Sequence, residues 1–154
     1  MRRGSRRGMS LVELIVAFTI LALLTTMALP LARYKVRRDR ERELRYALRE
    51  MRTAIDKYKD LADQGQLGIQ KMDSDGYPES LDALVEGVQL SGTVDKKIRF
   101  LRRVPKDPFT NTFEWGLRST QDDPKSTSWG GQNVFDVYTK STEKAGDGTP
   151  YSDW

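Results

Sequence analysis

From Met9 to Ala32 the chain is dominated by Leu, Ile, Val, Ala and Met, with one carboxylate, Glu13, set inside the run. A stretch of about 24 residues is long enough to cross a bilayer as a helix. It also draws much of the apolar content away from any globular core. The remainder is polar and loop-rich, with 31% charged residues across the chain and Gly, Pro, Asp and Ser gathered in the C-terminal half. The 154 residues therefore imply one modest domain carried on a helical appendage.

Glu13 narrows the reading of that appendage. A lone carboxylate in hydrocarbon costs about 2.5–3.5 kcal/mol on insertion scales, so it needs a partner or a task. A secretory signal peptide would need small residues at a cleavage site after the apolar run, and Ala28 and Ala32 serve this poorly beside Pro30. A plain membrane anchor leaves orientation open, because Arg2, Arg3, Arg6 and Arg7 precede the run while Arg33, Lys35, Arg37, Arg38 and Arg40 follow it. In a third reading, a cut after Gly8 creates an ammonium at Met9, four residues from Glu13. The ammonium of one copy then meets the carboxylate of the next and sets the register of an assembly.

The function classes thin out quickly. With no cysteine there is no disulfide, thiolate zinc site or cysteine nucleophile, and with no histidine the usual general base and commonest metal ligand are missing. No nucleophile elbow, phosphate loop or spaced carboxylate pair is present, and an enzyme is not expected. The formal charge of +4 does not point to nucleic acid, because removing the first eight residues lowers Lys plus Arg from 26 to 22, equal to the 22 acids. Residues 33–63 hold eleven basic against seven acidic residues, and residues 64–154 hold eleven against fourteen: a basic stalk and a mildly acidic head.

In the stalk, Leu44, Ala47, Leu48, Met51, Ala54, Ile55, Tyr58, Leu61 and Ala62 recur at steps of three and four, one face of an amphipathic helix turned toward the head. Pairs such as Glu41 and Arg45 stand four apart on the solvated side. From Met9 to Asp63 a continuous helix would measure roughly 80 Å, too long for a small domain to cover. Pro30 predicts a kink or a local opening within it. After Asp63 the pattern breaks at "DQGQLGIQ", and Tyr77-Pro78 leads into a short helix ending near Gly87. Asp73, Asp75 and Gly76 form part of a calcium-loop pattern that lacks its later ligands, so they read as a turn. Phe113, Trp115 and Leu117, then Phe135 and Val137, alternate with their neighbours as two short antiparallel strands. The long loop between them, "RSTQDDPKSTSWGGQN", is a candidate contact surface between subunits.

Three stretches carry a family resemblance. "RRGSRRGMSLVELIVAFTILALL" resembles the signal and N-terminal helix of type IV pilins and type II secretion pseudopilins, with Met9 where that family most often has Phe. Within "RFLRRVPKDPFTNTFEW", residues Val104 to Asn111 resemble the Asp-Pro segment that marks major pseudopilins. The ending "STEKAGDGTPYSDW" resembles their aromatic C-terminal ending.

The resemblance implies an α+β, pilin-like fold: a long N-terminal helix packed on a small antiparallel head. It implies a leader at 1–8, a transmembrane and filament-core helix at 9–32, a stalk at 33–63 and a head at 64–154. It implies cleavage between Gly8 and Met9 by a prepilin peptidase, N-methylation of Met9, and Glu13, Met9 and Pro30 acting in assembly. The expected function is a structural subunit of a type II secretion pseudopilus. Such a subunit is stored in inner-membrane lipid with its N-terminus cytoplasmic, then polymerised into a homo-oligomeric helical filament in the periplasm. Its partners would be minor pseudopilins and an inner-membrane assembly platform with its ATPase, with no nucleic acid. A type IV pilus pilin and a non-polymerising, membrane-tethered binding module are the rival readings. The family also binds calcium in its C-terminal loop, for which Glu143, Asp147 and Asp153 are available here, against a plain turn at Asp147-Gly148. Asp107 is expected to cap a turn and Phe109 to plug the head onto the stalk.

Overall fold

One helix, α1, runs from Leu11 to Asp63. The computed structural model describes residues 10–69, 71–92 and 96–154, with the side chains of 27–31 outside that description. The Ser10 carbonyl accepts the first helical bond, from the Leu14 N–H at 3.1 Å. The last turn is closed by Gly65 at φ +66°, whose N–H bonds Ala62, while the Gln66 N–H reaches back to Leu61. This pairing of bonds around a left-handed glycine satisfies carbonyls that would otherwise be orphaned. The break expected at "DQGQLGIQ" is thus a built helix stop.

The chain divides into two compact units, Met1–Asp39 and Arg40–Trp154. In the first, the apolar run is helical, and its side chains from Leu11 to Thr26 are exposed. Among the described residues no helix is long and apolar enough to cross a membrane. This corrects the expected transmembrane helix at 9–32. With it go the inner-membrane location and the role of a membrane-stored subunit polymerised into a periplasmic filament, and equally the membrane-tethered alternatives. The backbone stays helical through position 30, but the side chain of Pro30 lies outside the described residues, as do Gly8 and Met9.

In the second unit the amphipathic stripe of α1 is the floor of the core. Leu44, Met51 and Ile55 are fully buried, flanked by Ala47, Leu48, Ala54 and Tyr58, with Leu61 and Ala62 packed at the margin. Each fully buried Leu, Ile or Met side chain stabilises by about 1.5–3 kcal/mol relative to exposure. Over this floor lies α2 (Leu81–Glu86), started by the Ser80 hydroxyl accepting from the Ala83 N–H at 3.2 Å and ended at Gly87, φ +86°. The Leu84 carbonyl accepts from both Phe100 and Leu101, which ties α2 to the chain that follows.

Two small antiparallel sheets complete the head. β1 (Val88–Gln89) pairs with β2 (Lys97–Ile98), and a bridge from Leu67 to Leu90 adds the loop after α1 to that edge. β3 (Gly116–Arg118) pairs with β4 (Asp136–Tyr138) in the register Gly116–Tyr138, Leu117–Val137 and Arg118–Asp136. The second pair is the one predicted by alternation; the first has no such signal. The architecture is α+β and pilin-like, with the C-terminal part of a long helix packed against small antiparallel sheets.

Candidate functional site

The N-terminal part of α1 is apolar on every side. From Leu11 to Leu24, ten large hydrophobic side chains are more than half exposed, among them Leu11 at 76% and Phe18 at 71%. Its few hydroxyls turn inward on the helix: Thr25 donates to the Leu21 carbonyl at 2.8 Å, Thr26 to Leu23 at 2.8 Å, and Thr19 to Ile15. Glu13 is the exception. It sits in the first turn, where the helix dipole favours a negative charge. Its carboxylate makes no hydrogen bond or ion pair with another described residue.

In the head, Asp107 is fully buried, and each of its oxygens is used. Oδ1 accepts from the Phe109 N–H at 2.8 Å, and Oδ2 accepts from the Thr139 hydroxyl. The turn closes with the Asn111 N–H on the Asp107 carbonyl and Asn111 at φ +58°, a conformation asparagine tolerates. Pro105 lends its carbonyl to the Trp115 indole at 2.9 Å. Phe109 stacks on Tyr151 with ring centroids 4.1 Å apart, and the Tyr151 hydroxyl donates to Glu41 on α1 at 2.7 Å. Asp107 and Phe109 thus have the structural parts expected of them.

The acids of the tail are not brought into one site. The Asp147 Oδ1 accepts from the Thr149 N–H at 2.9 Å, and this bond is the main reason its carboxyl is held below the usual carboxylate range. Gly148, φ +87°, donates to Ala145, so Asp147-Gly148 is a turn. Asp153 lies in the closing 3-10 turn Tyr151–Asp153, while Glu143 gives its carbonyl to the Tyr151 N–H. Among the described residues no group of three or more His, Cys, Asp or Glu is placed to hold a metal ion. Asp75 and Gly76, both at positive φ, likewise form a turn, with Asp75 accepting from the Thr120 hydroxyl at 2.9 Å.

Sequence reasoning gave no sign of the charged cluster between helix and sheet. Arg52 donates from Nε to Asp136 Oδ1 at 2.7 Å and from its terminal nitrogen to the main-chain oxygen of Trp154 at 2.7 Å. Arg118, nearly buried, approaches the same carboxylate at 3.6 Å and lies over the Tyr138 ring at 4.1 Å. Arg45 covers the Trp154 ring at 4.1 Å. These contacts lock the C-terminal turn to α1. They offer neither a nucleophile nor an acid–base pair.

The family model for the prokaryotic N-terminal methylation motif matches residues 3–29. This motif is typical of type IV pilin-like and pseudopilin-like proteins. Comparison with curated proteins and with solved structures gave no match.

Proposed function

We propose that this chain is a non-catalytic, pilin-like structural protein whose mature form begins at Met9 and whose work is association with chains carrying the same N-terminal segment. In this reading a prepilin peptidase cuts after Gly8 and the new Met9 amine is methylated. That amine, from one copy, neutralises Glu13 of another. The observation that carries the proposal is the setting of Glu13: a carboxylate with no partner among the described residues, in a helical stretch, Leu11 to Leu24, whose large exposed side chains are apolar. An apolar surface of this extent needs a cover, and helices of like chains supply one that also brings a cation. The match of the methylation motif to residues 3–29 supports the same processing.

Within the pilin-like class we read the head as nearest the major pseudopilins of type II secretion. The buried Asp107 turn supports this, as does the absence of cysteine, since many type IV pilus pilins close their C-terminal region with a disulfide.

Intact-mass measurement of the chain co-expressed with a prepilin peptidase tests the processing. The expected product lacks residues 1–8 and carries one added methyl group. Cross-linking between copies should then be lost in Glu13→Ala while urea unfolding of the head is unchanged. An intact leader, or undiminished cross-linking in Glu13→Ala, would overturn the proposal.

A further inference from the structure

A groove of about 870 Å³ opens between α1 and the segment that precedes the Asp107 turn. Its walls carry two exposed aromatic rings, Tyr46 at 70% and Phe113 at 63%. Arg102, Arg103 and Lys106 line it as well, all exposed and none in an ion pair with another described residue. Arg42 adds a fourth cation, and Glu43 and Glu50 are the groove's only acids, so its lining is net positive. Pro105 and the closed Asp107 turn hold the three free cations on a stiff stretch of backbone.

The same head carries the opposite surface. Residues 73–86 contain five acids and no Lys or Arg. Glu79 is paired with Lys71 and Asp75 with Thr120, whereas Asp73, Asp82 and Glu86 are exposed without a partner among the described residues. Immediately before them, Ile69 and Met72 stand fully exposed at 106% and 102%. Three free anions in the segment that follows two apolar knobs thus match three free cations that line a groove with two aromatic rings. Methionine against an aromatic face is itself a favourable contact.

We infer that the basic aromatic groove of one copy receives the acidic segment 72–86 of a second copy. The contact is heterologous, one surface meeting a different one, and uses residues remote in sequence from Glu13. The carboxylates of Glu43 and Glu50 inside the groove disfavour a phosphate polymer as occupant and suit a protein surface of mixed charge. The inference rests on the proposed association of copies and names the head surfaces that take part in it.

The chain has no cysteine, so the test is direct. Full-length mature chains bearing Lys106→Cys are mixed with chains bearing Glu86→Cys and oxidised. The mixed disulfide should exceed either homotypic one several-fold and should fall at 1 M salt, where charges are screened beyond about 3 Å. Arg102→Glu with Arg103→Glu should abolish it, and Asp82→Arg in the partner copy should restore it. All these positions are exposed, and unchanged urea midpoints will show that the variants fold. A mixed yield no higher than the homotypic yields overturns the inference. So does a single-stranded oligonucleotide whose binding is lost in Arg102→Glu with Arg103→Glu while the disulfide pattern is untouched. Retention of residues 1–8 would instead strike the functional reading and leave the disulfide pattern as it is.

Discussion

Arg52 and Asp136 stand 84 residues apart in sequence and 2.7 Å apart in space. The pair joins α1 to β4, and the same carboxylate faces Arg118, whose side chain is only 9% exposed. Asp136→Ala therefore leaves a nearly buried guanidinium without its carboxylate, although Arg118 keeps the Ser126 carbonyl at 3.1 Å, and should cost about 2–3 kcal/mol. Arg52→Ala removes a partner that is itself 37% exposed and should cost only about 1 kcal/mol. Urea denaturation followed by tryptophan fluorescence measures both. Equal losses would show that Arg118 does not depend on Asp136.

Asp107→Ala should destabilise the head by roughly 2–3 kcal/mol, because it leaves the Phe109 N–H and the Thr139 hydroxyl without their acceptor in a fully buried place. Asp107→Asn keeps one acceptor oxygen for Phe109 and can give its amide to Thr139, so it should lose about half as much. Unfolding midpoints of the two variants, ranked against the parent, check the order.

A side chain at Gly116 has no room. A Cβ there would lie 2.2–2.6 Å from three ring carbons of Tyr138, its cross-strand partner in the β3–β4 register. Gly116→Ala is expected to cost about 1–3 kcal/mol through overpacking. The double variant with Tyr138→Ala should recover part of that loss, because the ring that blocks the methyl is gone. Strict additivity of the two changes in a double-mutant cycle would contradict the clash.

The long loop between β3 and β4 is organised around Asp122, which accepts from the Ser119 N–H at 2.7 Å and the Gly130 N–H at 3.1 Å. These bonds, that from Ser119 first, favour the charged form and hold its carboxyl below the usual carboxylate range. A group depressed on folding contributes its stability above its unfolded value and loses it as pH falls through the folded one. Unfolding midpoints of the parent should therefore decline as pH drops below about 4. Asp122→Asn should start lower at neutral pH and decline less steeply over that window; parallel curves would exclude the role.

Those features differ in how far the sequence announced them. The stripe from Leu44 to Tyr58 was legible because a helix buries residues at a fixed period. Alternation found the β3–β4 pair but not its inward face, since Gly116 and Arg118 are buried around a half-buried Leu117, and Phe113 and Phe135 are exposed. The Asp107 turn was visible in its prolines and its resemblance. β1 and β2 were not, since two residues each are too few to show an alternation. The meeting of Arg52, Asp136 and Arg118 leaves no periodic trace, because it depends on how distant segments pack. In the tail, the sequence left Asp147 open between a calcium ligand and a plain turn with Gly148, and the structure has the turn. At the N-terminus, the apolar count predicted a membrane span that no described helix provides.

The hydroxyls of Thr19, Thr25 and Thr26 are already satisfied by carbonyls of their own helix. This stretch can therefore exchange one greasy neighbour for another without stranding a donor, so those three residues are indifferent to which neighbour it has. On the proposed association of copies, discrimination within this stretch falls to Glu13, the one charged side chain among its described residues. In that reading its ionic contact selects a neighbour for the helix, while the oily remainder supplies adhesion and no choice.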